Sequence, residues 1–246
     1  MRKFTWEMRL GALLILLSVL LYAAHYAIFR DAHHIFLYLL GDIAFIPIDV
    51  LIVTLIIHRV LVEREKKQML HKLNMIVGTF FGEAGTDLIR LLGRFDPLAG
   101  ERRVDFAVTP RWNARAYATA KDGLRRRPMA LDARLGNLEP LRTALDGFKP
   151  ALLRMLEHPI LIEHETFSDL LWAVFHLQDE MAHRGDLTAL PGTDLAHLSG
   201  DMTRAAATLA AEWLDYMAHL QSSYPYLFSL AVRTNPFDPD ASPVVR

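Results

Sequence analysis

Two stretches carry residue types whose spacing permits chemistry. In LLGDIAFIPIDVLIV, residues 39–53, Asp42 and Asp49 stand inside an otherwise apolar run. Seven residues are close to two helical turns, so both carboxylates share one face. Carboxylates in such a run either hold helices together as interhelical polar contacts or line a cation or proton path when several copies surround a common axis. In HETFSDLLWAVFHLQDEMAH, residues 164–183, Glu180-x-x-His183 has the spacing of carboxylate-bridged di-iron ligands, with His176 and Asp169 on the same face. A second polar stripe, Asp201, Thr208, Glu212 and His219, follows on the next predicted helix. Opposed, the two stripes would offer a metal His176, Glu180 and His183. The other faces are cleanly apolar, with Phe167, Leu170, Leu171, Val174 and Met181 on one helix and Met202, Ala206, Trp213 and Met217 on the next. That pattern belongs to surface helices, so the polar stripes are expected to face water.

Other chemistries are excluded or unsupported. The chain has no cysteine, which removes disulfides, thiolate zinc sites and a cysteine nucleophile. GTFFGEAG, residues 78–85, lacks the G-K-[ST] of a phosphate-binding loop, and its glycines are expected to break the helix that enters them. No G-x-S-x-G elbow is present. No cofactor is expected.

The elements that must position these groups begin with two apolar runs. Hydrophobic residues make up 52% of the chain, high for a water-soluble protein and low for a many-span transporter. Residues 8–29 hold only Arg9 and His25 as ionisable groups, and residues 35–57 follow after the short link RDAHH. Each run is long enough to cross a hydrocarbon core of roughly 30 Å. The first is too long for a cleaved signal peptide. Residues 1–58 are therefore expected to form a transmembrane hairpin. Arg2, Lys3 and Arg9 precede the first span, and Arg59, Arg64, Lys66, Lys67 and Lys72 follow the second, while the link has only Arg30. The positive-inside rule then places both termini in the cytoplasm of an inner (plasma) membrane protein.

The two aspartates oppose insertion by about 5–7 kcal/mol, and the sixteen Leu, Ile, Val and Phe residues of the same span return about 5–10 kcal/mol. Asp42 lies about 10 Å into the span and Asp49 about 20 Å, too deep for easy escape to a headgroup. Ser18, Tyr22 and His25, spaced at four and three residues, form a polar stripe on the first helix. In a hairpin Tyr22 lies level with Asp42, which predicts a Tyr22–Asp42–His25 cluster. Asp49 finds no such partner and lies two residues after Pro47, a site of helix kinking.

The rest of the chain reads as all-α. Residues 59–85 continue the second span as a juxtamembrane helix, with Val62, Met69, Leu73, Ile76 and Phe80 along one stripe. That seam suits a short coiled coil between neighbours or packing on the chain's own domain. A helical cytoplasmic domain is expected over 86–232 and an irregular tail over 233–246. Within it, Thr109-Pro110 is expected to open a helix to about Arg126, and Asn137 one that runs to about Glu157 with a break at 147–150. Residues 59–154 carry a charge of +8 and residues 155–246 carry −9. Contact with anionic lipid headgroups is expected at Arg64, Lys66, Lys67 and Lys72. Nucleic acid is not an expected partner, because the domain as a whole is close to neutral.

Three functions follow. The first is a homo-oligomeric ion-conducting or transport-coupled assembly with Asp42 and Asp49 on a shared axis. The second is a membrane-anchored scaffold whose helical domain binds a cytoplasmic protein. The third is a membrane-bound metalloenzyme using His176, Glu180 and His183. The first alone explains the position of two costly charges.

Overall fold

The computed structural model describes residues 6–159, 161 and 164–245, with the side chain of Lys67 outside the described set. All regular structure among the described residues is helical. The chain divides into two compact units, Met1–Lys66 and Lys67–Arg246.

The first unit contains α1 (Trp6–Phe29) and the opening part of α2 (Ala32–Phe80). Both are long and apolar enough to cross a membrane. The link is shorter than RDAHH suggests. Arg30 alone takes a left-handed conformation (φ 50°), and its N–H donates to the Tyr26 carbonyl at 2.9 Å, closing α1. The Asp31 carboxylate then accepts from the His34 N–H at 3.1 Å, so His33 and His34 already belong to the first turn of α2. Pro47 sits inside α2, which continues through it. No residue of α1 is buried, and Leu13, Ile15 and Leu21 are each at least 60% exposed.

The second unit starts in the same helix. Leu73, Val77 and Phe80, at spacings of four and three, are buried in its core, whereas Val62 is exposed. The stripe on residues 62–80 is therefore satisfied at its C-terminal end by the chain's own domain rather than by a coiled coil. The Phe80 ring meets Phe81 and Phe167 edge-on, at centroid distances of 5.2 and 5.5 Å. The glycines after it do not break the helix. Phe81–Gly85 forms a π-helical turn that passes into α3 (Thr86–Gly93), and the Thr86 hydroxyl donates to the Phe81 carbonyl at 2.7 Å. A Cβ on Gly85 would stand 2.6 Å from both phenylalanine rings, so glycine is what lets the backbone approach them.

Further on come α4 (Ala99–Asp105), α5 (Ala114–Arg126) and α6 (Glu139–Leu156). The cap of α5 is Asn113, whose side chain accepts from the Ala116 N–H at 3.0 Å; Thr109 instead closes a turn to Trp112. No break interrupts α6, although Pro150 lies within it. The proline opposes the helix by about 3 kcal/mol, which burial of Leu141, Leu145 and Leu152 at about 1.5–3 kcal/mol each outweighs.

The core closes around α7 (Glu165–Ala182), α8 (Gly192–Ser223) and α9 (Pro225–Arg233). Helix α8 packs against α3, α5, α7 and α9, so it is covered on several sides. This overturns the expectation that its polar stripe faces water: Asp201 and Glu212 are both buried. The tail after α9 is irregular but docked. Phe237 stacks on Phe106 at 4.2 Å, and the buried Asn235 side chain donates to the Phe106 carbonyl at 2.8 Å. Ion pairs join the basic and acidic parts of the sequence: Arg103 with Asp238 and Asp240, and Lys121 with Asp215.

Burial pushes the Glu212 carboxyl above its ordinary value of 4.5, against a hydrogen bond from Thr166. A raised carboxyl favours the fold below the unfolded value and loses that contribution as pH rises through the folded one. Above the unfolded value the buried Glu212 carboxyl is therefore destabilising. Glu212→Gln is expected to raise the melting temperature at pH 7. The gain should vanish as pH falls below the unfolded carboxyl value. Thermal melts of both proteins across acid and neutral pH check this.

Candidate functional site

The two helices of the hairpin bring six polar residues to one groove. Ser18, Tyr22 and His25 of α1 and His34, Tyr38 and Asp42 of α2 line it, over a floor that includes Leu14, Leu21 and Ile35. The His25 and His34 rings lie parallel with centroids 6.1 Å apart, and His34 meets Tyr38 at 4.6 Å. Tyr22, His25 and Asp42 line this groove, and among the described residues no hydrogen bond joins them. Asp49 is exposed on α2 and does not line the groove. His34 and Tyr38 are the groove residues that the sequence reading missed. The signal was available in the four-residue steps from His34 to Tyr38 to Asp42.

Arg64, Lys66 and Lys72 are exposed along α2, while the Lys67 side chain lies outside the described residues. Their spacing leaves them free of the core stripe formed by Leu73, Val77 and Phe80.

The second constellation forms where α7 and α8 pack. His176 Nε2 lies 3.9 Å from Glu180 Oε1 and 3.5 Å from Asp201 Oδ1. His197 Nε2 lies 3.5 Å from Glu180 Oε2 and 3.3 Å from Asp201 Oδ2. Two i,i+4 pairs, His176–Glu180 on α7 and His197–Asp201 on α8, therefore face one another. His183 is not among them. It caps the C-terminal end of α7, is exposed, and has Nδ1 at 2.7 Å from the Asp179 carbonyl. The predicted E-x-x-H pair is thus replaced by an H-x-x-x-E pair, because a four-residue step lies closer to one helical turn than a three-residue step. His197 was missed although its i,i+4 step to Asp201 on α8 was available in the sequence; its second partner, Glu180, is on α7.

Two guanidinium groups hold the carboxylates of this cluster. Arg184 binds Glu180 Oε2 at 2.7 Å and forks onto both oxygens of Asp194 at 2.7 and 2.8 Å. Its hydrogen bonds hold the Glu180 and Asp194 carboxyls below the usual carboxylate range. Arg204 donates to Asp201 Oδ1 at 3.0 Å.

Comparison with known proteins follows the same division. A family model described as MJ1433, N-terminal helical domain, matches residues 2–61, and one described as uncharacterized protein MJ1433, C-terminal helical domain, matches residues 69–233. The interval between them contains the boundary of the two compact units. The chain is similar to the uncharacterized protein MJ1433 of Methanocaldococcus jannaschii, with 44% identity over 225 residues, which is 92% of this chain and 90% of that protein. No solved structure matches. With one family model spanning more than half of the sequence and this identity over nearly all of it, the chain belongs to the MJ1433 family.

Proposed function

We propose that the chain is a two-span integral membrane protein that assembles into a homo-oligomer, with the groove of Asp42, Tyr22, His25 and Ser18 facing a shared ion or proton path. Asp49, two turns further along the same face of α2, extends that path. The observation that carries the reading is the contrast within the hairpin. Its apolar side chains are unburied, and Ser18, Tyr22, His25, His34, Tyr38 and Asp42 line one groove between its two helices. In lipid, apolar flanks need no protein cover, whereas ionisable groups turn toward other helices or water. A two-helix unit cannot enclose a pore by itself, so conduction requires several copies. The cationic residues Arg64, Lys66, Lys67 and Lys72 then lie at the cytoplasmic headgroups.

A second reading is supported by residues 67–246 forming a compact unit with its own core. In that reading the hairpin anchors and dimerises a module that binds a cytoplasmic protein. Native mass spectrometry of the chain in lipid nanodiscs separates the two. A closed ring of four or more subunits, with proton or cation flux lost in Asp42→Asn, supports conduction. A monomer or dimer, or unchanged flux, overturns it and leaves the anchored module.

A further inference from the structure

We propose that the cavity between α3, α4 and the C-terminal tail binds a small amphiphile with an anionic head, carboxylate or phosphate, and an apolar body. The cavity lies wholly within the second unit and has a volume of about 530 Å³, inside the range of about 300–1,000 Å³ typical of ligand sites. Ile89 and Leu92 of α3, with Met129 and Leu131 from the segment after α5, form an apolar floor, and all four belong to the buried core. Ala206 of α8 and Phe237 of the tail extend it. Water gains few hydrogen bonds over such a floor, whereas an alkyl or aryl body placed there leaves contact with water. The volume is open above α3 as well: a Cβ on Gly93 would meet nothing within 4 Å.

The sign of the ligand's charge follows from the rim. Arg90, Arg94, Arg102 and Arg103 line the cavity against two acids, Asp96 and Asp238. Both acids are already matched, Asp96 by Arg102 and Asp238 by Arg103, while Arg90 pairs with Asp87 outside the cavity. Arg94 is left over. It is exposed just after α3, and among the described residues its side chain has no hydrogen bond or ion pair. On the buried wall, Nη1 and Nη2 of Arg102 each donate to one carbonyl, of Arg127 and Pro128, and each carries a second N–H. Arg103 shows that this rim accepts anionic oxygens, because its Nη2 takes Asp238 at 3.0 Å and Asp240 at 2.9 Å from the chain's own tail. A surplus of guanidinium beside an apolar floor complements an anionic amphiphile and opposes a cation.

The test uses the full chain held in amphipol, without free micelles, titrated by calorimetry with octanoate, octyl phosphate and the neutral octanamide. A diazirine-bearing octanoate then maps the site by photolabelling and mass spectrometry. The expected result is saturable binding of one anion per chain, about tenfold tighter than octanamide, as a charge-assisted contact supplies. The label should fall on α3, α4 or the tail. Arg94→Gln should weaken the anions about tenfold and leave octanamide unchanged. Gly93→Leu, which fills the cavity, should remove binding of all three. Arg94 is exposed and unpaired, so its variant reports on binding even if Gly93→Leu misfolds. Tighter binding of octanoate or of octyl phosphate identifies the head, and either order supports the proposal. Octanamide bound as tightly as the anions, anion affinity unchanged in Arg94→Gln, no saturable binding, or label confined to residues outside the cavity overturns it. None of these outcomes bears on the hairpin, because flux through Asp42 is measured separately.

Discussion

Arg102→Leu is expected to destabilise the helical domain by about 3–5 kcal/mol, the usual consequence of removing one partner from a buried ion pair. Arg102 is 3% exposed, although it lies on the short, otherwise polar helix α4. Its Nε faces Asp96 Oδ2 at 3.3 Å, and its two terminal nitrogens donate to the carbonyls of Arg127 and Pro128 at 2.8 Å each. One guanidinium thus holds the turn after α3 and the segment after α5 to α4. Leucine fills the volume but leaves the buried Asp96 carboxylate without a cation and two carbonyls without donors. In a domain of this size the melting temperature should fall by about 6–20 °C. Adding Asp96→Asn should recover part of the loss, and Arg102→Lys should retain the charge while losing the fork. Far-UV circular dichroism melts of the three variants measure this. A fall below about 2 °C for Arg102→Leu would refute the assignment.

Phe80→Ala should be comparably severe, about 3–5 kcal/mol, whereas Val62→Ala should change stability by less than about 0.5 kcal/mol. The two residues lie on one predicted stripe, but Phe80 is fully buried against Phe81 and Phe167 and Val62 is exposed. If the stripe served pairing between neighbouring chains, both substitutions would weaken association and stability would depend on protein concentration. Melts of both variants at several concentrations decide between these outcomes. The same observation says where to cut the chain. A fragment starting at residue 86 would omit Leu73, Val77, Phe80, Phe81 and Ala84 from the core, whereas one starting near Lys67 keeps them.

The helical class, the two long apolar runs and the approximate bounds of α7 and α8 were legible in the sequence, because each is a local property. Hydrophobic period and length act within a segment, and the apolar faces of α7 and α8 proved to be the buried ones. The errors concern local signals that tertiary contacts overrode. Gly78, Gly82 and Gly85 read as breakers, yet the chain stays helical through a π-helical turn whose Phe80 and Phe81 rings are buried in the core. Pro150 read as an interruption, yet three buried leucines hold α6 through it. Thr109-Pro110 is a good cap by residue type, but Asn113 takes that role four residues later.

The sequence by itself determined which residues can carry charge, hydrogen bonds or a metal, and on which face of its own helix each lies. Only the tertiary structure decided which faces meet. His34, Tyr38 and Asp42 of α2 came to share a groove with Ser18, Tyr22 and His25 because α1 lies beside α2. His176 and Glu180 acquired His197 and Asp201 because α8, covered on several sides, turns part of its polar stripe against α7. The physical reason is that helical periodicity reaches only three or four residues along the chain. Which polar stripe faces water and which faces another helix depends on the packing of the whole core.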